Sequence, residues 1–325
     1  MNRTSAIATA MLLALASTIG GGAASQARGV RELVADLTVA DAAARTRAAC
    51  DLRAMGDGAA DAVGPLVALL GDAAPIEASV CGRHSWGNGV DNMTSPGEQA
   101  AAALVAIGTR AFQPVMAVLR SPAWTARRNA AWALGVFDDQ KAVSALIDTL
   151  KDPEPGVREQ AAWALGALDD ESAVPALTNA LKDADARVRR QSAWALGAID
   201  DAGASSALAA ALSDPDDRTR QQAAWALGAI DDNSAVPALI RALGDNADAV
   251  RRQAAWALGA IDDARAVDGL VRALADADGA VRQQAAWALG AIGDPRALSA
   301  LLPILKDANP GVRKQAAWAI GVIGK

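Results

Sequence analysis

The chain has 325 residues, 52% of them hydrophobic, yet only 2 Phe and no Tyr, so a folded core must be built from Ala, Leu, Val and Ile. The formal net charge is −6, and Arg3 is the only charged side chain before Arg28, so a product starting there carries −7. That balance argues against a nucleic-acid footprint, which needs a basic face, and leaves room for a cationic partner, although mild acidity also serves plain solubility.

The first 27 residues have the layout of a targeting segment: Arg3, then apolar residues from Ala6 to Ile19, then Ser25-Gln26-Ala27 as a small-x-small cleavage site. The apolar stretch is too short for a membrane span. The expectation is export, cleavage after Ala27, and a soluble product in a periplasmic or extracellular space.

From Arg28 onward one pattern recurs. Trp132, Trp163, Trp194, Trp225, Trp256, Trp287 and Trp318 stand 31 residues apart without a slip, each in a run like Gln160-Ala161-Ala162-Trp163-Ala164-Leu165-Gly166. A fixed period of this size means stacked repeats that bury their apolar faces only against their neighbours. An Ala- and Leu-rich chain with short Asp, Gly and Pro punctuation makes each repeat a helix pair. The units expected are 28–57, 58–108, 109–139, 140–170, 171–201, 202–232, 233–263, 264–294 and 295–325.

In the fifth unit, Ser172 to Leu181 read as the first helix, with Pro175 tolerable in its opening turn. Ala186 to Ile199 read as the second. Asp185, Asp216, Asp278 and Asn309 are placed as N-caps, and Pro155 and Pro310 fall at the first helical position. An insertion at about 73–95 breaks the period in the second unit. In the last unit Pro303 predicts a kink, and the absence of a separate polar cap predicts an end face covered by a partner or by self-association.

The run Val157-Arg158-x-Gln-Ala-Ala-x-Ala-Leu-Gly-x-Leu-Asp, followed by Ala173-Val174-Pro175-Ala176-Leu177 and Leu181-Lys182-Asp183, resembles the 31-residue HEAT-like repeat named after phycobilin lyases. The resemblance covers essentially all of 28–325. It implies an all-α fold, a right-handed α-α solenoid (superhelix) of about nine HEAT-like helix pairs, with the second helices lining a concave surface.

Advancing about 100° per residue, Leu165, Ala161, Leu168 and Val157 form the packed stripe of a second helix, and Trp163 lies opposite with Gln160 and Ala167 beside it. The largest apolar side chain of each repeat therefore points away from the core its own helix builds. Two readings follow. The indoles either pack flat on the next repeat's Ala and Gly positions, or they form a partly exposed ladder that binds a ligand.

An exposed ladder would line a groove on the order of 60 Å long at about 8–10 Å per repeat. Its candidate binding residues are the seven tryptophans with Gln160, Gln191, Gln222, Gln253, Gln284 and Gln315, which stand three residues earlier, and Asn129 in the same place. Each pair offers an apolar face beside an amide donor and acceptor, a repetitive device suited to an extended peptide or a glycan. The logic is similar to that of armadillo proteins, whose Trp and Asn rows grip extended peptide. A cationic side chain over each indole would add about 0.5–2 kcal/mol.

Arg127, Arg158, Arg189, Arg220, Arg251, Arg282 and Arg313 recur five residues before each Trp, and Asp152, Asp183, Asp214, Asp245, Asp276 and Asp307 eleven before. HEAT repeats resemble this, with an Asp–Arg row bracing successive turns by charge-assisted hydrogen bonds. Pairs such as Asp169-Asp170 and Asp200-Asp201 read as the turn after the second helix.

Cys50 stands at the tryptophan position of the first unit and Cys81 in the insertion; an even count in an exported chain predicts a Cys50–Cys81 disulfide. The insertion also holds the sole histidine, His84, beside Trp86-Gly87-Asn88-Gly89. One histidine supplies no metal site. There is no His-Glu-x-x-His helix, Gly-x-Ser-x-Gly elbow or phosphate-binding loop. Deoxyhypusine hydroxylases have similar repeats but need several His-Glu ligands, and HEAT-like DNA glycosylases have basic grooves. The expectation is a protein without catalytic residues, metal or cofactor: a scaffold for a protein or extended peptide, with glycan binding, or recognition by the insertion on a purely architectural solenoid, as alternatives, and a lyase-type accessory enzyme, by analogy with the repeat's name, as the last of them.

Overall fold

The computed structural model describes residues 28–81 and 93–324. The targeting segment and His84, Trp86, Gly87, Asn88 and Gly89 lie outside the described residues. Two compact units divide the chain, Met1–Asp170 and Glu171–Lys325.

In the first unit the helices are α1 Val30–Asp36, α2 Ala42–Met55, α3 Val63–Leu69, α4 Pro96–Ile107, α5 Thr109–Val118, α6 Trp124–Phe137, α7 Val143–Thr149 and α8 Pro155–Leu168. The second unit holds α9 Val174–Ala180, α10 Ala186–Ile199, α11 Ser205–Ala211, α12 Asp217–Ile230, α13 Val236–Ala242, α14 Asp248–Ile261, α15 Val267–Ala273, α16 Gly279–Ile292, α17 Leu298–Ile304 and α18 Pro310–Ile323. Within each unit short and long helices alternate, and each long helix packs on its own short partner and on the long helices before and after it.

Local chemistry accounts for this regularity. Asp185, Asp216, Asp278 and Asn309 each accept a backbone N–H of the first turn, and Pro155 and Pro310 open their helices. At the far end Asp138, Asp169, Asp200, Asp231 and Asp262 take left-handed φ of 54–58°, and Gly293 takes 68°. Aspartate is one of the few side chains that tolerate this conformation. The aspartate that follows (Asp139, Asp201, Asp232, Asp263, Asp294) then caps a one-turn 3₁₀ helix that leads into the next short helix. Pro303 sits in the last turn of α17, which keeps the seven residues of its counterparts.

The core is aliphatic, as composition required. In α8, Val157, Ala161, Leu165 and Leu168 are buried, and so are Ala162, Ala164 and Gly166. These three small residues line the helix flanks, where neighbouring long helices approach. The two phenylalanines, Phe112 and Phe137, meet edge to face at 5.7 Å.

In the second unit of repeat the insertion leaves α3 through a two-residue strand, β1 Ile76–Glu77, which pairs antiparallel with β2 Met93–Thr94 at its return. Helical periodicity gave no hint of this pair. A Cys50–Cys81 disulfide joins the insertion to α2. No helix among the described residues is long and apolar enough to cross a membrane.

Candidate functional site on the tryptophan face

The arginine–aspartate brace sets the spacing of the long helices. Arg127 reaches forward into the next repeat, its Nε 2.6 Å from Asp152 Oδ2 and its Nη2 2.8 Å from Asp152 Oδ1. Its Nη1 donates to the carbonyls of Ser121 and Pro122 in its own turn. Arg189–Asp214, Arg220–Asp245, Arg251–Asp276 and Arg282–Asp307 repeat the fork. Hydrogen bonds from Arg251 and Arg282 hold the carboxyls of Asp276 and Asp307 below the usual carboxylate range. The brace also starts earlier than the tryptophan period suggests, because Arg45 and Asp72 make the same pair at 2.7 Å. Gly97 and Ser121 occupy the corresponding positions at the next interface, so the row is interrupted where the insertion enters.

With the helices held at this spacing, the tryptophans sit in an intermediate environment. Trp132, Trp163, Trp194, Trp225, Trp256 and Trp287 are half-buried, and Trp318 is 43% exposed. One edge of five of these indoles is packed, and the glycine of the preceding repeat makes the room. A Cβ placed on Gly135, Gly197, Gly228, Gly259 or Gly290 would stand 2.5–2.9 Å from Cζ3 of Trp163, Trp225, Trp256, Trp287 or Trp318 respectively. The indole N–H groups of Trp163, Trp225, Trp256 and Trp287 donate to no described residue, which leaves them to solvent or a ligand.

Gln160, Gln191, Gln222, Gln253, Gln284 and Gln315 are half-buried beside them, and none spends its amide on a hydrogen bond to a described residue. Asn129 departs from that row: it is buried, and its Nδ2 is bonded to Leu70 O at 2.9 Å. It is therefore structural, because the chain entering the insertion passes over it.

The first interface carries a different solution that the tryptophan period concealed. Arg53 stands where later repeats have the glycine, and Ala102 stands where they have the tryptophan, so large and small exchange places. Gln99, in register with Gln160, is fully buried; it donates to Thr94 Oγ1 at 3.0 Å and accepts from Arg53 Nη1 at 3.2 Å. Burial pushes the Arg53 guanidinium below its usual range. The disulfide at Cys50 completes this end of the row, so the indole ladder begins only at Trp132.

No curated protein matches the chain by sequence. Among solved structures it is similar to an engineered protein at 25% identity, with 90% of this chain and 88% of that one covered and a TM-score of 0.51. It is also similar to YibA of Escherichia coli (21% identity, 81% and 92% covered, TM-score 0.58) and to human deoxyhypusine hydroxylase in complex with glycerol (22%, 82% and 96%, TM-score 0.35). The HEAT repeats family matches residues 98–165, 112–197, 143–228, 174–258, 206–288 and 242–321. Since those overlapping matches span most of the chain and the helix pairs follow the same plan, the protein belongs to the HEAT-repeat family, as an all-α solenoid scaffold of a kind that generally binds proteins.

Proposed function

We propose that this protein is a non-enzymatic scaffold that binds an extended protein or peptide segment along its Trp/Gln face, and that it acts after export. The carrying observation is the combination, at Trp163, Trp225, Trp256, Trp287 and Trp318, of an indole seated by one edge yet still partly exposed and an unspent amide one turn earlier. A side chain that is immobilised but still offers a face loses little entropy on binding, which is the economy that makes Trp a frequent binding hot spot. The arginine–aspartate fork keeps successive pairs at constant spacing, which suits a ligand with a constant repeat such as an extended backbone. Export is supported by Arg3, the apolar stretch to Ile19, the Ser25-Gln26-Ala27 site and the Cys50–Cys81 disulfide. The strict 31-residue period is the basis for reading the repeats as the phycobilin-lyase type of HEAT repeat.

A second reading, recognition by the insertion at 73–95, is favoured by the disulfide that ties this segment to the first repeat. Peptide selection from a random display library separates the two. On the ladder reading, selected peptides lose at least about tenfold in affinity for Trp225→Ala and Trp256→Ala and keep it for Cys50→Ser/Cys81→Ser. The opposite pattern would refute the ladder and favour the insertion. Selection of neutral sugars in a glycan panel, with binding indifferent to salt, would move the ligand class to glycans.

A further inference from the structure

Resting on the peptide reading of the ladder, we propose that the face of the second unit takes an acidic extended peptide, whose carboxylates meet Arg190, Arg252 and Lys314. Four residues before Trp194, Trp225, Trp256, Trp287 and Trp318 stand Arg190, Gln221, Arg252, Gln283 and Lys314, a strict alternation of cation and amide. Residues four apart on a helix are neighbours on one face, so this row runs beside the indoles and the first amide row. Arg252 and Lys314 are exposed and Arg190 is half-buried. None of the three is hydrogen-bonded or ion-paired to a described residue.

The contrast with the adjacent row is what makes this informative. Arginines one position further back, Arg189, Arg220, Arg251 and Arg282, are all closed onto aspartates at 2.7 Å. Asp217 and Asp248 open their helices, four residues before Gln221 and Arg252 and eight before the indoles, and neither is ion-paired to this row. Asp217 and Asp248 act on Arg220 and Arg251, and Asp216, the carboxylate that senses Arg190, already accepts Thr219 N and Oγ1 at 2.8 Å. A chain of net charge −6 thus presents open cations along this one strip, and local charge, not the sum, decides complementarity.

Spacing selects the ligand class. Cations in every second repeat lie roughly 16–20 Å apart at 8–10 Å per helix, which an extended peptide spans in about five to six residues. A polynucleotide carries a charge on every nucleotide, far denser than this row.

The test is a trio of labelled peptides of about eighteen residues, otherwise uncharged, with Glu, Gln or Lys at every sixth position. Anisotropy is measured on the whole protein, on Arg190→Gln/Arg252→Gln/Lys314→Gln, and on Trp225→Ala/Trp256→Ala. We expect the Glu peptide to bind best, to weaken with salt, and to lose roughly tenfold in the triple variant. Equal binding of the Gln or Lys peptide, or a triple variant that binds Glu peptide as well as the parent, overturns the acidic ligand while leaving the ladder intact, provided the double Trp variant is impaired. Binding of no peptide overturns both readings. Tighter binding of heparin or a single-stranded oligonucleotide than of the Glu peptide, lost in the triple variant, overturns the peptide in favour of a polyanion.

Discussion

Gly228→Ala measures how tightly one repeat is seated on the next. In a solvent-exposed helix this change is favourable by about 1 kcal/mol, because alanine loses less backbone entropy than glycine. Here the new methyl would stand 2.7 Å from Cα of Ala257, 2.7 Å from Cζ3 of Trp256 and 2.8 Å from Cβ of Ala257. Ordinary carbon contacts begin near 3.5 Å, so α12 and α14 must separate by several tenths of an ångström, and the backbone atom among the three cannot rotate aside. Overpacking of this kind costs about 1–3 kcal/mol, and a backbone contact belongs at the upper end. The net expectation is a loss of about 2 kcal/mol after the propensity gain is subtracted. Urea unfolding followed by circular dichroism should show the midpoint fall by about 1 M. The double variant Gly228→Ala/Trp256→Ala should not recover the single variant's loss, because the clash with Ala257 remains. A midpoint that rises, as for an exposed helix, would refute the seating of the indole edge on glycine.

Three further outcomes follow from the geometry. Ser205 stands where the other repeats have Val143, Val174, Val236, Val267 and Leu298; it is buried, and its Oγ makes no well-formed hydrogen bond although it lies near enough to Asp232 to help hold that carboxyl low. Ser205→Val should raise stability by about 1 kcal/mol in the same urea assay. Asp276 and Asp307 have folded pKa values depressed by the Arg251 and Arg282 hydrogen bonds, and Asp185 is lowered to about 2 by Arg187. Groups shifted this way contribute stability above their unfolded pKa and lose it as pH falls through the folded value; melting temperature should therefore drop between about pH 4 and 2, and Asp276→Asn should flatten that drop while lowering stability at pH 7. Reducing Cys50–Cys81, which closes a separation of 31 residues, should destabilise the first unit by about 3 kcal/mol. Hydrogen exchange should show that loss in α1 to α4 and leave α10 to α18 unchanged.

Much of the fold was legible because each repeat restates the same local chemistry. The limits of α10, the proline and aspartate starts, and the arginine–aspartate fork all come from residues whose effect is local or recurs at constant spacing. The insertion was legible only as an interruption. Its β1–β2 pair is two residues per strand, too short for any periodicity to register. The candidate site was legible by position but not by environment. A helical wheel treats one helix alone, and it puts Trp163 opposite the core; it cannot show that Gly135 of the preceding helix receives the indole edge. Net charge was misleading for the same reason, since many carboxylates are used in caps and forks and the open cations Arg190, Arg252 and Lys314 vanish in the sum. Asn129 was misplaced among the free amides because its partner, Leu70 O, comes from the chain entering the insertion.

The most direct test of the central claim is acrylamide quenching and emission of the native tryptophans, without and with a selected peptide. Seven of the nine share one structural position, so the bulk signal reports nearly a single environment. The account predicts emission between that of buried and free indole, substantial quenching, and a loss of quenching when peptide occupies the ladder. Blue-shifted emission that acrylamide scarcely touches, unchanged by peptide, would mean that the indoles have no face to offer and would contradict it.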